Sequence, residues 1–197
     1  MSINQLPHKW ETRQLELKDS TLDEAQELQQ INDTFPVLRG WTDVKVEGES
    51  VDSMLLVLTE GTLPPNGSKE FSRLQSIRLS HTNQLIGFLG MYHGFPSADV
   101  FWLNVLAIRP GFQGKGYGRE LVRGLSDEVR QLGTFTRMQM FVSLKHWLAL
   151  RFWSQEGFDK IVRIAGDKVL SDTTHAHVML EKSLVESKGR AGAEDVG

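Results

Sequence analysis

The chain of 197 residues contains no cysteine. It therefore has no disulfide framework, no thiol nucleophile and no thiolate ligand for a metal. It also carries little excess charge, with a formal net charge of −3 at pH 7, so no strong field draws it to nucleic acid or an acidic membrane. The sequence has no apolar run of membrane-spanning length, and its first residues lack the pattern of a signal peptide. We therefore expect a cytoplasmic protein that binds neither nucleic acid nor membrane.

The patterns along the chain predict mixed α and β structure in a single domain over residues 1–182. Residues 183–197 are rich in glycine, alanine and charge and are expected to form a flexible tail. The predicted order is strand, two helices, three strands, helix, strand, helix and two strands. The segments in that order are 10–17, 21–31, 51–59, 71–80, 85–92, 99–108, 121–132, 136–142, 145–156, 158–164 and 175–181.

The most informative segment lies between a predicted strand and a predicted helix. An apolar run, Val105–Ile108, meets a Pro-Gly breaker and is followed by Gly114, Gly116 and Gly118. The first amides of a helix lack intrahelical partners and carry partial positive charge, so this junction favours an anion. Glycines let the backbone approach that anion closely. Four cations in and around the same turns, Arg109, Lys115, Arg119 and Arg123, strengthen the prediction of a phosphate or pyrophosphate site.

The spacing argues against two common phosphate loops. No Ser or Thr follows Lys115 to hold magnesium, and the glycines do not have the spacing of a dinucleotide fingerprint. The run Gln113–Gly118 instead resembles the Gln/Arg-x-x-Gly-x-Gly/Ala signature of the GNAT superfamily of acyl-CoA-dependent N-acyltransferases. The alternative interpretation is a strand–helix turn without a ligand. The resemblance implies an α+β fold, with a central, mostly antiparallel mixed sheet of six to seven strands flanked by about four helices.

The same resemblance implies a set of site residues. The loop would wrap the pyrophosphate of acetyl-CoA, the co-substrate, without any metal. The backbone amide of Leu106 would stabilise the oxyanion, and the amide of Ile108 would contact the pantetheine arm. The implied coenzyme-binding residues are Leu106, Ala107, Ile108, Gln113, Gly114, Lys115, Gly116, Tyr117, Gly118, Arg119, His146 and Trp153.

A second motif, from His146 to Phe158, resembles the Asn-x-x-Ala-x-x-x-Tyr-x-x-x-Gly-Phe helix of many GNAT enzymes. His146 stands at the Asn position, where it could contact the coenzyme or lie at the surface. Trp153 stands at the position of the Tyr that protonates the leaving thiolate in that family. An indole N–H is not an acid near neutral pH, so packing in the core is the alternative role for Trp153.

No general base is identified by the sequence. Some enzymes of the family place a Glu where this chain has Trp102. The titratable candidates nearby are His93, Asp99 and His81. A surface position is the favoured interpretation of each, because isolated polar residues on strands usually face solvent. A base acting through water, or an acceptor amine of low pKa, would serve as well.

The acceptor side is expected to involve residues 35–52 and the loop before Phe71. Their acidic and aromatic residues suit a cationic amine, although a solvated loop has the same composition. His175 and His177 lie two apart on one strand, and no third ligand is indicated, so we expect no metal site. The favoured function is an N-acetyltransferase acting on a primary amine of a small molecule or peptide. The alternative is a non-catalytic acyl-CoA-binding or sensing domain, and a homodimer is compatible with either.

Overall fold

The computed structural model describes residues 4–35, 53–169, 171 and 174–185. Within these residues the chain is a mixed α+β fold with one eight-stranded sheet and four α-helices. The strands are β1 Lys9–Glu11, β2 Leu15–Asp19, β3 Ser72–Leu79, β4 Leu85–His93, β5 Val100–Ile108, β6 Arg137–Ser143, β7 Lys160–Gly166 and β8 Ala176–Ser183. The helices are α1 Ala25–Asp33, α2 Ser53–Glu60, α3 Tyr117–Gln131 and α4 Trp147–Gln155.

The sheet has the order β1-β2-β3-β4-β5-β6-β8-β7, and among the pairings of the described strands only β5–β6 is parallel. Apolar residues on the two faces form separate cores. On one face α1 and α2 pack against Phe88, Val105 and Ala107. On the other face α3 and α4 cover a larger core that includes Phe101 and Leu103. The side chains of β5 alternate between the two faces, and a β-bulge between Leu103 and Val105 shifts that alternation by one residue.

The sheet has one strand more than the six to seven expected, because the segment 10–17 is a hairpin and not a single strand. The turn between β1 and β2 is closed by a hydrogen bond of 2.8 Å from the Thr12 N–H to the Leu15 carbonyl. The Glu120 carboxylate of α3 also accepts hydrogen bonds from the Thr12 hydroxyl and from the backbone and side chain of Gln14. The turn is thus held by a residue that is remote in sequence, which a local pattern does not reveal.

Three helix boundaries that carry local sequence signals agree with the structure. The Glu24 carboxylate accepts a 3.0 Å hydrogen bond from the Thr21 N–H at the start of the first helical segment. Gly61 and Gly157 follow α2 and α4 with φ of +78° and +89°, the left-handed conformation favoured after a helix. The predicted start of the second helix, Val51, lies outside the described residues.

The parallel pair β5–β6 is short. It joins Val100–Leu103 to Arg137–Met140 and ends there, although β5 continues to Ile108. A β-bulge lies at the same point, because Gly90 of β4 pairs with Val105 while Met91 pairs with Leu103. Asn104 is therefore the extra residue. Beyond it, β5 and β6 separate and leave a cleft between two neighbouring strands.

The described end of the chain lies beyond the expected boundary of the domain at Lys182. Ser183 is the last residue of β8, and Leu184 is buried in the larger core. The rest of the predicted tail, 186–197, lies outside the described residues. None of the described helices is long and apolar enough to cross a membrane.

Candidate functional site

The glycine-rich loop connects the end of β5 to the N-terminus of α3. Gly114 and Gly116 have φ of +73° and +89°, so both positions favour glycine. A Cβ atom at either position would have no heavy atom within 4 Å. Gly116 is the residue before the first turn of α3, whose first amides lack intrahelical partners. The loop is therefore open to solvent at both glycines.

The last residues of β5 alternate between β4 and the cleft. The Arg109 N–H donates to the Ile86 carbonyl on β4 at 2.8 Å, and the Ala107 carbonyl also lies against β4, next to Gly87. The Ile108 carbonyl faces the opposite way and accepts a 2.7 Å hydrogen bond from Gln113 Nε2. By this alternation the N–H groups of Leu106 and Ile108 point into the cleft. The side chain of Gln113 fastens the loop to the strand.

The cations expected around the loop have different partners. Arg119 and Arg123 donate through Nε to the buried Glu156 carboxylate at 2.7 and 3.3 Å, which ties α3 to the end of α4. Arg109 reaches α1, where it binds Glu27 at 2.9 Å. Lys115 is exposed, with its ammonium 5.2 Å from the centroid of the Phe112 ring. Lys115 and Arg119 are thus the cations on the exposed part of the loop and first helical turn.

Tyr117 and Gly118 form the start of α3. Tyr117 packs against the larger core. A Cβ atom on Gly118 would lie 3.3 Å from Cζ of Phe152, so this glycine allows α3 and α4 to approach each other closely. Of the three alternating glycines, two permit the loop conformation and the third serves helix packing.

The second motif forms the junction of β6 and α4. His146 is half-buried, and its N–H donates to the Ser143 carbonyl at 2.9 Å. Because β5 and β6 are parallel, His146 follows β6 at the same end of the sheet as the glycine loop. Trp153 is buried, with its ring centroid 5.0 Å from those of Phe152 and Phe158 in edge-to-face contacts. Its indole packs in the core, as the alternative interpretation holds.

The structure does not bring the candidate bases to the loop. His93 is fully buried at the far end of β4; its Nδ1 lies 2.9 Å from the Phe71 carbonyl and its Nε2 accepts from the Leu6 N–H at 3.2 Å. Burial lowers the pKa of His93 to about 4. Asp99 precedes β5, about 20 Å from Leu106 at the usual rise per residue. The Ser97 hydroxyl and Arg137 hold the pKa of Asp99 well below its usual range.

Two further candidates have other surroundings. Trp102 is buried against Phe95 and Phe141 in edge-to-face contacts, both with ring centroids 5.3 Å apart. His81 is exposed in the turn between β3 and β4. Trp102 lies near the start of β5, away from the loop. The turn with His81 is at the same end of the sheet as the loop, because Gly87 near the start of β4 pairs with Ile108, but it lies on the side of β5 away from β6 and the cleft.

A cavity of about 220 Å³ lies on the α1–α2 face of the sheet. It extends from the end of α2 across β3 to Gly90 on β4, and Gly90 pairs with Val105 at the bulge of β5. Its wall includes two acidic residues, Asp19 and Glu70, and two basic residues, Lys69 and Arg73. Part of the loop before Phe71 also lines it, whereas the expected acceptor segment 36–52 lies outside the described residues.

Among the described residues, no group of three or more His, Asp or Glu side chains could hold a metal ion. His175 and His177 are both exposed, and the His177 ring lies 6.4 Å from that of Phe141.

Comparison with known proteins identifies the family. Residues 58–158, just over half of the chain, match the model of the Acetyltransferase (GNAT) family. The chain belongs to the GNAT family. This confirms the resemblance carried by Gln113–Gly118. A search of curated proteins found no match to this GNAT chain.

Solved structures with the same fold include a spermidine/spermine N-acetyltransferase, SpeG, from Vibrio cholerae. Its TM-score is 0.62 at 15% identity, with 87% of this chain and 93% of that chain covered. A probable acetyltransferase of the GNAT family from Chromobacterium violaceum has a TM-score of 0.70 at 11% identity, covering 93% and 90% of the two chains. At these identities the similarity establishes a shared fold for the GNAT chain and not a shared substrate.

Sequence reasoning rejected Asn104 as a base and assigned no role to Asn104 or Glu156. The bulge at Asn104 depends on the registers of β4 and β5, so no local pattern marks it. Glu156 gives a weak signal: it precedes the helix-ending Gly157 and lies on the motif from His146 to Phe158. A carboxylate buried at that position requires cationic partners, which are supplied here by α3.

Proposed function

We propose that this GNAT chain is an acyl-CoA:amine N-acyltransferase that transfers an acetyl group from acetyl-CoA to a primary amine of a small molecule or peptide. The observation that carries this proposal is the glycine loop at the N-terminus of α3. It lies beside the part of β5 that is not paired with β6. The open space at Gly114 and Gly116 fits a bulky oxyanion such as a pyrophosphate. The cleft fits the extended arm that follows it in coenzyme A.

The residues that would hold the coenzyme lie along one path. The amides of the loop and of the first turn of α3 bind the pyrophosphate, with Lys115 and Arg119 adding charge. The Ile108 amide contacts the pantetheine arm, and the Leu106 amide donates to the thioester oxygen. His146 lies across the cleft, where its ring can contact the arm. Trp153 supports this wall from the core.

The reaction is a direct transfer within a ternary complex. The amine nitrogen attacks the thioester carbon, a C–N bond forms, the C–S bond breaks and the sulfur leaves as a thiolate. Aligning the two reactants accounts for about 7–11 kcal/mol of the barrier. One donor to the developing oxyanion adds about 2.7–4 kcal/mol, which is the role of the Leu106 amide.

The leaving thiolate needs no acid from Trp153. A thiol with a pKa near ~8.5 is a good leaving group, and a general acid contributes only about 10²–10⁴-fold. On the acceptor side, His93 and Asp99 lie away from the cleft. We therefore assign deprotonation of the amine to water-mediated transfer or to an acceptor amine that is partly neutral at the working pH.

The acceptor enters through the cavity on the α1–α2 face. The cavity reaches the bulge at Gly90 and Val105, which is the inner end of the cleft. Asp19 and Glu70 on its wall are balanced by Lys69 and Arg73, so the net charge of the wall does not select the charge of the acceptor. The size and position of the cavity fit a small amine that approaches from the face opposite α3 and α4.

Two measurements test this function. Isothermal titration with CoA, acetyl-CoA and ATP should give tighter binding of both coenzyme forms than of ATP, since ATP has no arm to lie in the cleft. Thiol release from acetyl-CoA should then be measured over a panel of small amines, polyamines and peptides, and we expect release that depends on the amine.

The outcomes separate the alternatives. Binding of ATP as tight as that of CoA would overturn the assignment of the cleft. Tight binding of CoA with no thiol release across the panel would instead support a non-catalytic acyl-CoA-binding domain, which the burial of Trp102 and Trp153 in the core also favours.

A further inference from the structure

Asn104 is the extra residue of the β-bulge in β5. Its Cβ lies 3.6 Å from the position that a Cβ on Gly90 would occupy, so its side chain is on the α1–α2 face. The Nδ2 atom of Asn104 is buried and has no hydrogen-bond partner among the described residues. A buried donor left unsatisfied costs about 1–3 kcal/mol. An unsatisfied donor at this position calls for a ligand that can accept a hydrogen bond.

The position of Asn104 defines which part of a ligand it can meet. The β5–β6 pairing ends at Leu103 and Met140, so Asn104 is at the closed end of the cleft. The glycine loop lies at the open end, beyond Ile108. Four residues of strand separate Asn104 from Ile108, about 13 Å. A coenzyme with its pyrophosphate on the loop and its arm along the cleft therefore brings its acyl group to Asn104.

Two groups at the closed end could accept from the Asn104 amide: the amine nitrogen and the acyl oxygen. A hydrogen bond to the free-base amine would occupy the lone pair that must attack the thioester, so it would oppose the reaction. The acyl oxygen gains negative charge during attack, so the same donor there becomes more favourable in the transition state.

We propose that the Asn104 side chain is a catalytic residue, the second donor to the acyl oxygen beside the backbone amide of Leu106. This inference rests on the proposed N-acyltransferase function. The amine adds to the carbonyl carbon, the oxygen carries the negative charge while Asn104 Nδ2 donates to it, and the charge returns as the C–S bond breaks. The amine proton leaves to solvent, and Asn104 is neither protonated nor consumed.

The test compares the full-length wild type with Asn104→Leu, which has a similar volume and no donor, and Asn104→Asp, which replaces the donor by an oxygen. Gln139→Leu is the matched control, because it removes another buried carboxamide on the neighbouring strand β6. In both Asn104 variants we expect kcat to fall about 10²–10³-fold. In these variants the KM for acetyl-CoA, the affinity for CoA and the melting temperature should stay close to those of the wild type, whereas Gln139→Leu should keep kcat and lose stability, because Gln139 donates to the buried Glu181.

A binding measurement makes the test independent of turnover. S-acetonyl-CoA presents a ketone oxygen one methylene further from the sulfur than the thioester oxygen of acetyl-CoA, and it has no acyl group to transfer. The wild type should bind it roughly two- to tenfold more tightly than CoA, the range for one net hydrogen bond. Asn104→Leu should lose that preference while binding CoA normally.

Each result is decisive. Normal kcat in a folded Asn104→Leu overturns the proposal, and so does a preference for S-acetonyl-CoA that the variant retains. A fall in kcat with the preference unchanged would make the role structural. Absence of transfer in the wild type with a preference that depends on Asn104 would remove the proposed enzyme function and leave acyl recognition by Asn104 standing.

Discussion

At the residue scale, Gly116 and Gly133 form a natural pair for comparison. Both have left-handed φ, +89° and +67°, and a Cβ at either would have no heavy atom within 4 Å. Gly116 precedes α3 and Gly133 follows it. We expect Gly116→Asp to weaken CoA binding at least tenfold, because a carboxylate would enter the proposed pyrophosphate site, and titration calorimetry measures this.

Gly133→Asp is the control for that substitution. It imposes the same left-handed strain, about 1 kcal/mol or more for a residue with a side chain, and adds the same charge at the opposite end of the helix. CoA affinity should be unchanged in Gly133→Asp. Equal losses of affinity in the two variants would contradict the assignment of the loop.

The burial of His93 leads to a second prediction at the residue scale, about how the free energy of unfolding depends on pH. The neutral ring donates from Nδ1 and accepts at Nε2, so a second proton would face the Leu6 N–H. Burial lowers the pKa of His93 to about 4, from 6.5. As the pH falls, His93 therefore binds a proton in the unfolded chain that it does not bind in the native state. The contribution of neutral His93 to the free energy of unfolding is complete above pH 6.5 and is lost as the pH falls towards 4. The loss is about 1.4 kcal/mol per pH unit and about 3 kcal/mol in all.

Urea unfolding of the wild type and of His93→Gln, measured between pH 8 and pH 4.5, checks this. The variant is expected to be less stable at pH 8, since it loses part of the buried hydrogen bonding. Its stability should also fall less steeply below pH 6.5. Parallel curves for the two proteins would show that His93 does not titrate in this way.

At the scale of elements, Glu120 of α3 holds the turn between β1 and β2. Its carboxylate accepts from the Thr12 hydroxyl and the Gln14 N–H at 2.6 Å, and from Gln14 Nε2 at 2.7 Å. Glu120→Ala should lower the free energy of unfolding by about 1–2 kcal/mol, since the turn loses its acceptor. Chemical denaturation of Glu128→Ala, on the same helix, should give a change within about 0.5 kcal/mol. A loss no larger in Glu120→Ala than in Glu128→Ala would refute the role of Glu120.

The same contacts show what the sequence could predict about the elements. Helix ends with local signals, Thr21, Gly61 and Gly157, agree with the structure because their causes lie within a few residues. The loop between β5 and α3 is likewise local, and so is the family motif that it carries. The hairpin at Thr12 depends on Glu120, more than a hundred residues away in sequence. The bulge at Asn104 depends on the register with β4, so neither feature has a signal within its own segment.

At the scale of the whole molecule, the first half of β5 is paired with both β4 and β6, whereas the second half is paired with β4 and separated from β6. The four residue pairs of β5 with β6 end at Leu103, and α1–α2 and α3–α4 cover opposite faces of the sheet. The unpaired edge of β5 that faces β6 therefore lies inside the sheet, recessed between its neighbouring strands. Another chain can reach a recessed edge less easily than an outer one, so this edge can remain unpaired without inviting aggregation.

The recessed edge has a consequence for hydrogen exchange with solvent. The amide of Ala107 is paired with β4, whereas those of Leu106 and Ile108 face the cleft. In the free protein Ala107 should exchange slowly and its two neighbours much faster, and saturating CoA should slow the neighbours selectively. Hydrogen exchange followed by NMR would resolve the amides of Leu106, Ala107 and Ile108, and uniform exchange rates along β5 would contradict the predicted alternation. One strand would then carry two kinetic classes of amide hydrogen that alternate residue by residue, and a ligand would merge them into one.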